Sequence, residues 1–189
     1  KARDGLVRQA HCGTLFLDEV GELPLNMQKA FLRVLQERRF RPLGGSREID
    51  SDFRLVSATN RNLDQMVKDG HFREDLFLWL SSYGSELPPL RERLEDFQEL
   101  ARFYADRFCD RYGLPSKGFS PDFIKTLRTY PWPENVREFV HTMERTLGLA
   151  RYESTLFPKH LPTNIRVEVT RASVAQDSDF DVTLGNGTI

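Results

Sequence analysis

The chain has 189 residues, 39% hydrophobic and 29% charged, with a formal net charge of −1. It has room for one domain or a domain plus a small satellite, and it lacks the global basic field of a nucleic-acid-binding protein. Its two cysteines, Cys12 and Cys109, lie far apart, which argues against a disulfide framework and suits a reducing cytosol. Its histidines, His11, His71, His141 and His160, show no metal-ligand spacing, no apolar run is long enough to span a membrane, and no signal peptide is recognised; the start at Lys1 rather than Met makes a piece of a longer protein the expectation.

Lys1 to His11 is a mixed, charged approach. Thr14 to Leu17 is a short apolar run without alternation, the pattern of a strand buried on both faces, and it ends in two adjacent carboxylates, Asp18 and Glu19. An apolar strand with paired acids at its carboxyl tip has the layout of the second nucleotide-binding motif of P-loop ATPases, where one acid holds Mg²⁺ and its neighbour handles the attacking water. Gly21 and Pro24 punctuate. Met27, Ala30, Phe31, Val34 and Leu35 then recur at helical spacing and predict an amphipathic helix from about Asn26 to Glu37. Gly44-Gly45 between two short extended runs signals a hairpin. Phe53 to Thr59 reads as a second buried strand with polar Asn60 at its tip, where ligands sit in open α/β sheets. Leu63 to Val67 is a helical turn ending near Gly70, Phe72 to Leu80 is a second amphipathic stretch, and Ser85 to Leu87 reads as a third strand stopped by Pro88-Pro89. This first block is α/β.

After Leu90 the pattern becomes helical. Leu94, Phe97, Ala101, Tyr104 and Phe108 share one face of a long helix with Gly113 as its C-terminal cap. Ser120-Pro121 opens a second helix carrying Phe123, Ile124 and Leu127. Pro131-Trp132-Pro133 breaks it, and Val136, Phe139, Val140, Met143 and Leu147 mark a third. Leu94 to Leu149 reads as a small all-helical unit whose aromatic stripes form a core. From Ile165 the chain is polar and acidic without a helical period, and a linker or a disordered tail is expected.

The stretches GTLFLDEVGELPLNMQKAFLRVLQE, RLVSATNRNL, FREDLF, LPPLRER and YPWPENVREF, in this order, resemble the AAA+ ATPase domain of the sigma-54-dependent transcriptional activators of the NtrC type, over about Lys1 to Arg166. The resemblance implies the C-terminal half of an α/β subdomain with a parallel sheet (1–92), a helical lid (93–164) and a linker or tail (165–189). It implies an ATPase that assembles as a ring, usually a hexamer, in the bacterial cytoplasm. Such a ring uses ATP and Mg²⁺ to remodel RNA polymerase holoenzyme carrying sigma-54, and it reaches enhancer DNA through a domain not present here. By resemblance, Asp18 is the Mg²⁺-binding acid of the Walker B motif, acting through water, and Glu19 the catalytic acid that polarises the attacking water. Thr59 and Asn60 match sensor I, Arg73 a catalytic arginine acting on the neighbouring subunit's nucleotide, and Arg137 sensor II of the lid. A planar, always-charged guanidinium suits both arginine roles. In the resembled fold Thr14–Leu17 pairs in parallel with Leu55–Thr59, and Ser85–Leu87 stands apart from them, on the far side of the phosphate-loop strand.

Three departures accompany the resemblance. The phosphate loop G-x-x-x-x-G-K-[ST] and the family's GAFTGA loop are not in the sequence; the family places both before the Walker B strand. The second trans-acting arginine is replaced by Trp79, which cannot pair with a phosphate. The usual glycine before NVRE is Glu134, and no helix-turn-helix is recognisable after Arg166. A degenerate, non-catalytic AAA+ module acting as a scaffold, and an AAA+ member of other function such as a helicase loader, stand beside the ATPase reading.

Overall fold

Leu6–Gln9 forms a single helical turn, α1, ahead of the apolar run Thr14–Leu17, which is strand β1 in the computed structural model. The structure describes residues 5–42, 45 and 47–184, with side chains as far as residue 174. It divides into two compact units, Lys1–Glu86 and Leu87–Ile189.

In the first unit a 3-10 turn at Val20–Glu22 leads into helix α2 (Leu25–Glu37), the short strands β2 (Arg39–Phe40) and β3 (Ile49–Asp50), strand β4 (Arg54–Ser57), and helices α3 (Leu63–Lys68) and α4 (Glu74–Leu80). β1 and β4 pair in parallel, with Thr14 opposite Arg54, Phe16 opposite Val56 and Leu17 opposite Ser57. β2 and β3 form the antiparallel hairpin that Gly44-Gly45 signals; Gly44 itself lies outside the described residues.

Three sequence expectations are corrected here. β1 is not buried on both faces. Leu15 is buried and Leu17 half-buried against the core, whereas Phe16 is 58% exposed and its cross-strand neighbour Val56 40% exposed, because the unit's helices cover only one face of the pair. The predicted stripe of α2 is borne out in part: Leu35 is buried and Phe31 and Val34 pack half-buried against the core, whereas Met27 (52% exposed) and Ala30 face solvent and Gln28 and Leu32 are buried in their place, on the face that positions 28, 32 and 35 share at steps of four and three. Ser85–Leu87 forms no strand. Among the described residues no strand pairs with it, and Leu87 points its side chain to solvent.

The second unit is built on helices α5 (Asp96–Tyr112), α6 (Pro121–Thr129), α7 (Asn135–Leu149) and α8 (Thr163–Leu184). The caps follow the sequence signals. Gly113 ends α5 in the left-handed conformation, φ 62°, and the Ser120 hydroxyl accepts a hydrogen bond from the Phe123 N–H at the start of α6. The unit is not all-helical: Gly118–Phe119 (β5) and Thr155–Leu156 (β6) pair in parallel, a bridge too short to leave a period in the sequence. Nor does the expected tail begin at Ile165. That residue is buried in the lid core with Val169 packed against it, a four-residue step that anchors α8, and the helix runs on to Leu184. Two residues assigned to apolar stripes, Leu94 and Val136, are exposed.

Trp132 sits at the centre of this core. Its ring centroid lies 5.0 Å from those of Tyr130 and Phe139 and 6.1 Å from that of Phe97. Its indole N–H donates to the Leu127 carbonyl at 2.7 Å, so the residue between the two prolines ties the break back to the end of α6. Buried Lys117 donates to the carbonyls of Ala150 (3.2 Å), Arg151 (2.8 Å) and Glu153 (2.5 Å), satisfying acceptors at and beyond the C-terminus of α7 with a positive charge that its dipole favours. Buried His160 accepts the Phe157 N–H on Nδ1 at 3.1 Å, which requires the neutral ring.

Trp132→Ala removes the central ring and its hydrogen bond. It is expected to destabilise the protein by about 3–5 kcal/mol in urea unfolding; a loss under about 1 kcal/mol would show that the core collapses around the gap. Burial, with Lys159 adding to it, holds the His160 pKa below its ordinary 6.5, while Glu153 opposes the shift. A depressed folded pKa contributes stability that is present above the unfolded value and lost as pH falls. The melting temperature should therefore fall on acidification below about pH 6.5, and part of that fall should vanish in His160→Gln, measured by scanning calorimetry across that window.

Candidate functional site

The parallel register of β1 and β4 brings their carboxyl ends side by side. The ladder runs past both strands: Ala58 N–H donates to Leu17 O, and Val20 N–H to Ala58 O, each at 2.9 Å. Asp18 and Glu19 therefore leave one strand next to the point where Thr59 and Asn60 leave the other, and all four side chains are exposed. This is the edge at which open α/β sheets hold ligands. Asp18 Oδ1 accepts the Glu19 N–H at 3.1 Å, which ties the two acids together.

The backbone here is specialised. Glu19 adopts φ 53°, ψ 48°, a left-handed conformation that a non-glycine residue holds only when its surroundings enforce it, at a cost of order 1 kcal/mol. It swings the chain into the 3-10 turn. Gly21 then passes so close to β4's tip that a Cβ on it would lie 2.9 Å from Thr59 Oγ1 and 3.2 Å from Arg61 Cδ. Thr59 Oγ1 also accepts the Arg61 N–H at 3.1 Å, and the Arg61 guanidinium pairs with Glu22 at 2.5 Å. Gly21, Glu22 and Arg61 thus hold the turn that follows Asp18 and Glu19 against the one that carries Thr59 and Asn60. Sequence reasoning took Gly21 only as punctuation and passed over the other two, because a pair made across parallel strands leaves no short-range spacing.

Arg73 stands at the N-cap position of α4. Its backbone N–H donates to Gln28 Oε1 at 2.9 Å, while the Gln28 amide donates to Leu23 O at 2.7 Å and His71 O at 3.2 Å. Gln28 is fully buried, so this amide fixes where α4 begins relative to α2. The Arg73 guanidinium makes a two-pronged contact with Asp75, at 3.0 and 2.6 Å, rather than with Asp18, Glu19, Thr59 or Asn60. That partner raises the arginine pKa and holds the Asp75 carboxyl below the usual carboxylate range. Trp79 lies one turn and a half further along α4 and is 37% exposed.

Arg137 belongs to the second unit, exposed in the first turn of α7. Two residues around it hold left-handed conformations, Trp132 at φ 50° and Asn135 at φ 53°, and the Asn135 side chain accepts the Leu90 N–H at 2.8 Å. Glu134, where the resembled family has glycine, sits at φ −95° and needs no glycine.

Among the described residues no cluster of three or more His, Cys, Asp or Glu could cage a metal ion. One exposed aspartate suits a cation that keeps most of its waters and takes its other oxygens from a phosphate ligand, which is the habit of Mg²⁺. No helix among the described residues is long and apolar enough to cross a membrane.

Comparison with known proteins gives these features a family. Residues 1–84 match the sigma-54 interaction domain and residues 91–178 the AAA+ ATPase lid domain. The chain is 37% identical over 190 residues to the putative uric acid sigma-54-dependent transcriptional regulator UacR of Escherichia coli, covering 98% of this chain and 32% of that protein. It is 40% identical over 183 residues to the nitrogen fixation protein VnfA of Azotobacter vinelandii (97% and 35%) and 41% over 170 residues to the regulatory protein AtoC of Escherichia coli (90% and 37%). The crystal structure of NtrX from Brucella abortus in complex with ATP superposes with a TM-score of 0.79 at 34% identity over 84% of this chain and 37% of NtrX; that of the ADP complex gives 0.80. The chain spans about a third of the length of the curated relatives it matches. The chain therefore belongs to the family of sigma-54-dependent transcriptional regulators, as a part of their AAA+ domain that ends in its lid.

Proposed function

We propose that this chain is the part of a sigma-54-dependent activator that couples ATP binding and hydrolysis, in a AAA+ ring, to the remodelling of sigma-54 RNA polymerase for promoter opening. The observation that carries the reading is the shared carboxyl edge of β1 and β4, where Asp18 and Glu19 stand beside Thr59 and Asn60. In this reading Asp18 holds Mg²⁺ through water, and the ion supplies charge neutralisation for the phosphates. Glu19 orients and polarises the attacking water, held in place by its enforced left-handed backbone. Thr59 and Asn60 report on the terminal phosphate through the turn locked to Gly21. Arg73 serves the neighbouring subunit's nucleotide, and would exchange Asp75 for a phosphate partner as it does so. Arg137 serves from the lid. Nucleotide complexes of NtrX, of similar fold, support a nucleotide as ligand. Contact with enhancer DNA belongs to a segment outside these residues.

A second reading, a degenerate AAA+ module acting as a scaffold, draws on Trp79. It occupies the position of the family's second trans-acting arginine and exposes an indole in place of a cation.

The experiments use a protein carrying this chain behind a phosphate loop. Glu19→Gln keeps the shape but not the charge, and is expected to leave ATP affinity within a few-fold while lowering turnover by about 10²-fold or more; unchanged hydrolysis would remove Glu19 from the reaction. Trp79→Arg is expected to raise the ATPase rate and make it depend more steeply on protein concentration, since such an arginine acts in trans. A protein inactive both as it stands and with Trp79→Arg would favour the scaffold.

A further inference from the structure

The second unit carries a groove that the nucleotide reading does not use. Its walls come from α5 and α6, its volume is about 570 Å³, and it is lined by Arg102, Lys117, Lys125 and Arg128, with Phe119 and Ile124 among its apolar residues and no carboxylate in its lining. The cations differ in what they already do. Lys117 is buried and spends its ammonium on three carbonyls beyond α7. Arg102, Lys125 and Arg128 are exposed and make no ion pair or side-chain hydrogen bond among the described residues. By contrast, many charged side chains elsewhere in the chain are paired, Arg33 with Glu37 and Lys68 with Asp64 among them. Three unpaired cations facing one concavity, on a chain whose net charge is −1, make a local field that the composition hides.

The lining narrows the chemistry. Free guanidinium groups on facing helices favour oxyanions, carboxylate or phosphate. Phe119 is half-buried, with one face stacked on Phe123 at 5.7 Å, and together with Ile124 it offers apolar surface at the base of the charged walls. Duplex DNA presents phosphates on a convex surface and keeps its apolar groups inside the grooves and the base stack, away from those phosphates. A small-molecule site buries most of its ligand, whereas here the cations are exposed. A few residues of extended polypeptide, with carboxylates and an apolar side chain between them, match both the charge and the floor.

We propose that this groove binds a short acidic peptide segment of a partner protein, its carboxylates on Arg102, Lys125 and Arg128 and an apolar side chain over Phe119 and Ile124. The proposal is independent of ATP hydrolysis.

The test is fluorescence polarisation of a labelled peptide, Asp-Phe-Asp-Leu-Glu-Asp, titrated with the full chain. Saturable binding is expected, weakened about tenfold or more by Lys125→Glu with Arg128→Glu. The same charge change placed elsewhere on the second unit, Arg107→Glu with Arg145→Glu, should leave it within about twofold. Arg102→Gln, on the other helix, should weaken binding several-fold by itself and keeps the test informative if the double variant loses its circular dichroism spectrum. Equal weakening by both double variants would overturn the proposal, as would no binding, no loss on replacing the peptide's Phe and Leu by Ser, or displacement of the peptide by short duplex DNA at lower concentration than by unlabelled peptide.

Discussion

The parallel register of β1 against β4 is the constraint from which the first unit's chemistry follows. Slipping either strand by one residue would turn its own core residue, Leu15 or Leu55, away from the core and move the acids out of line with Thr59 and Asn60. Burial therefore fixes the site. The transfer free energy of the apolar face, roughly 25 cal/mol per Å² removed from water, selects the register, and the register sets two carboxylates beside two polar tips at the sheet edge. The chemistry has no need to stabilise its own geometry, which is why exposed groups like Asp18 and Asn60 can be held in position by hydrophobic residues several positions away.

What lies beyond the ladder is held by polar contacts. Gln28 is the polar member of α2's buried stripe and satisfies Leu23 O, His71 O and Arg73 N–H at once. A leucine there would pack, but it would leave buried backbone groups without partners, at about 1–3 kcal/mol for each. The amide thus links the end of the acid-bearing turn to the start of the arginine-bearing helix. Lys117 plays the same part in the second unit, where one ammonium gathers carbonyls that α7 cannot satisfy itself. Both are polar groups buried for connection, and both sit where two elements of distant sequence must meet at a fixed distance.

Local features of this chain were legible and long-range ones were not. β1, α2, the Ser120 cap, the Gly113 terminus and the Pro-Trp-Pro break announce themselves within a few residues, because caps, turns and apolar periods act at that range. Asp18, Glu19, Thr59 and Asn60 were legible as strand tips, and the register brings them together. The exposed face of Phe16 and Val56 was not legible, since an unalternating apolar run looks the same whether both faces are covered or one. Gln28 is absent from the predicted apolar stripe because a polar side chain does not count toward an apolar period, whatever its place on the 28-32-35 face. The helix from Thr163 was missed because, among the described side chains, Ile165 and Val169 are the apolar residues of α8 that pack on the core, too few to make a period. The Arg61–Glu22 pair joins two loops from different strands, a proximity that only the fold creates.

The departures from the family pattern divide along the same physical line. Glycine is favoured where an added Cβ would crowd its neighbours, and Gly21 is such a place: an added methyl would lie 2.9 Å from Thr59 Oγ1, so the Thr59 side chain would have to shift. The glycine position occupied by Glu134 is different. Its φ of −95° is open to any residue, its N–H is taken by the Glu138 side chain at 3.2 Å, and the left-handed turn is made instead by Trp132 and Asn135. The backbone entering α7 therefore accepts glutamate without strain at that position. Trp79 has no such compensation in its own unit. The exchange of guanidinium for indole alters what α4 shows to solvent, beside the exposed Leu78, while leaving the buried Leu76 that anchors the helix untouched. A change confined to an exposed position spares the fold and alters the surface that α4 presents, not the packing beneath it.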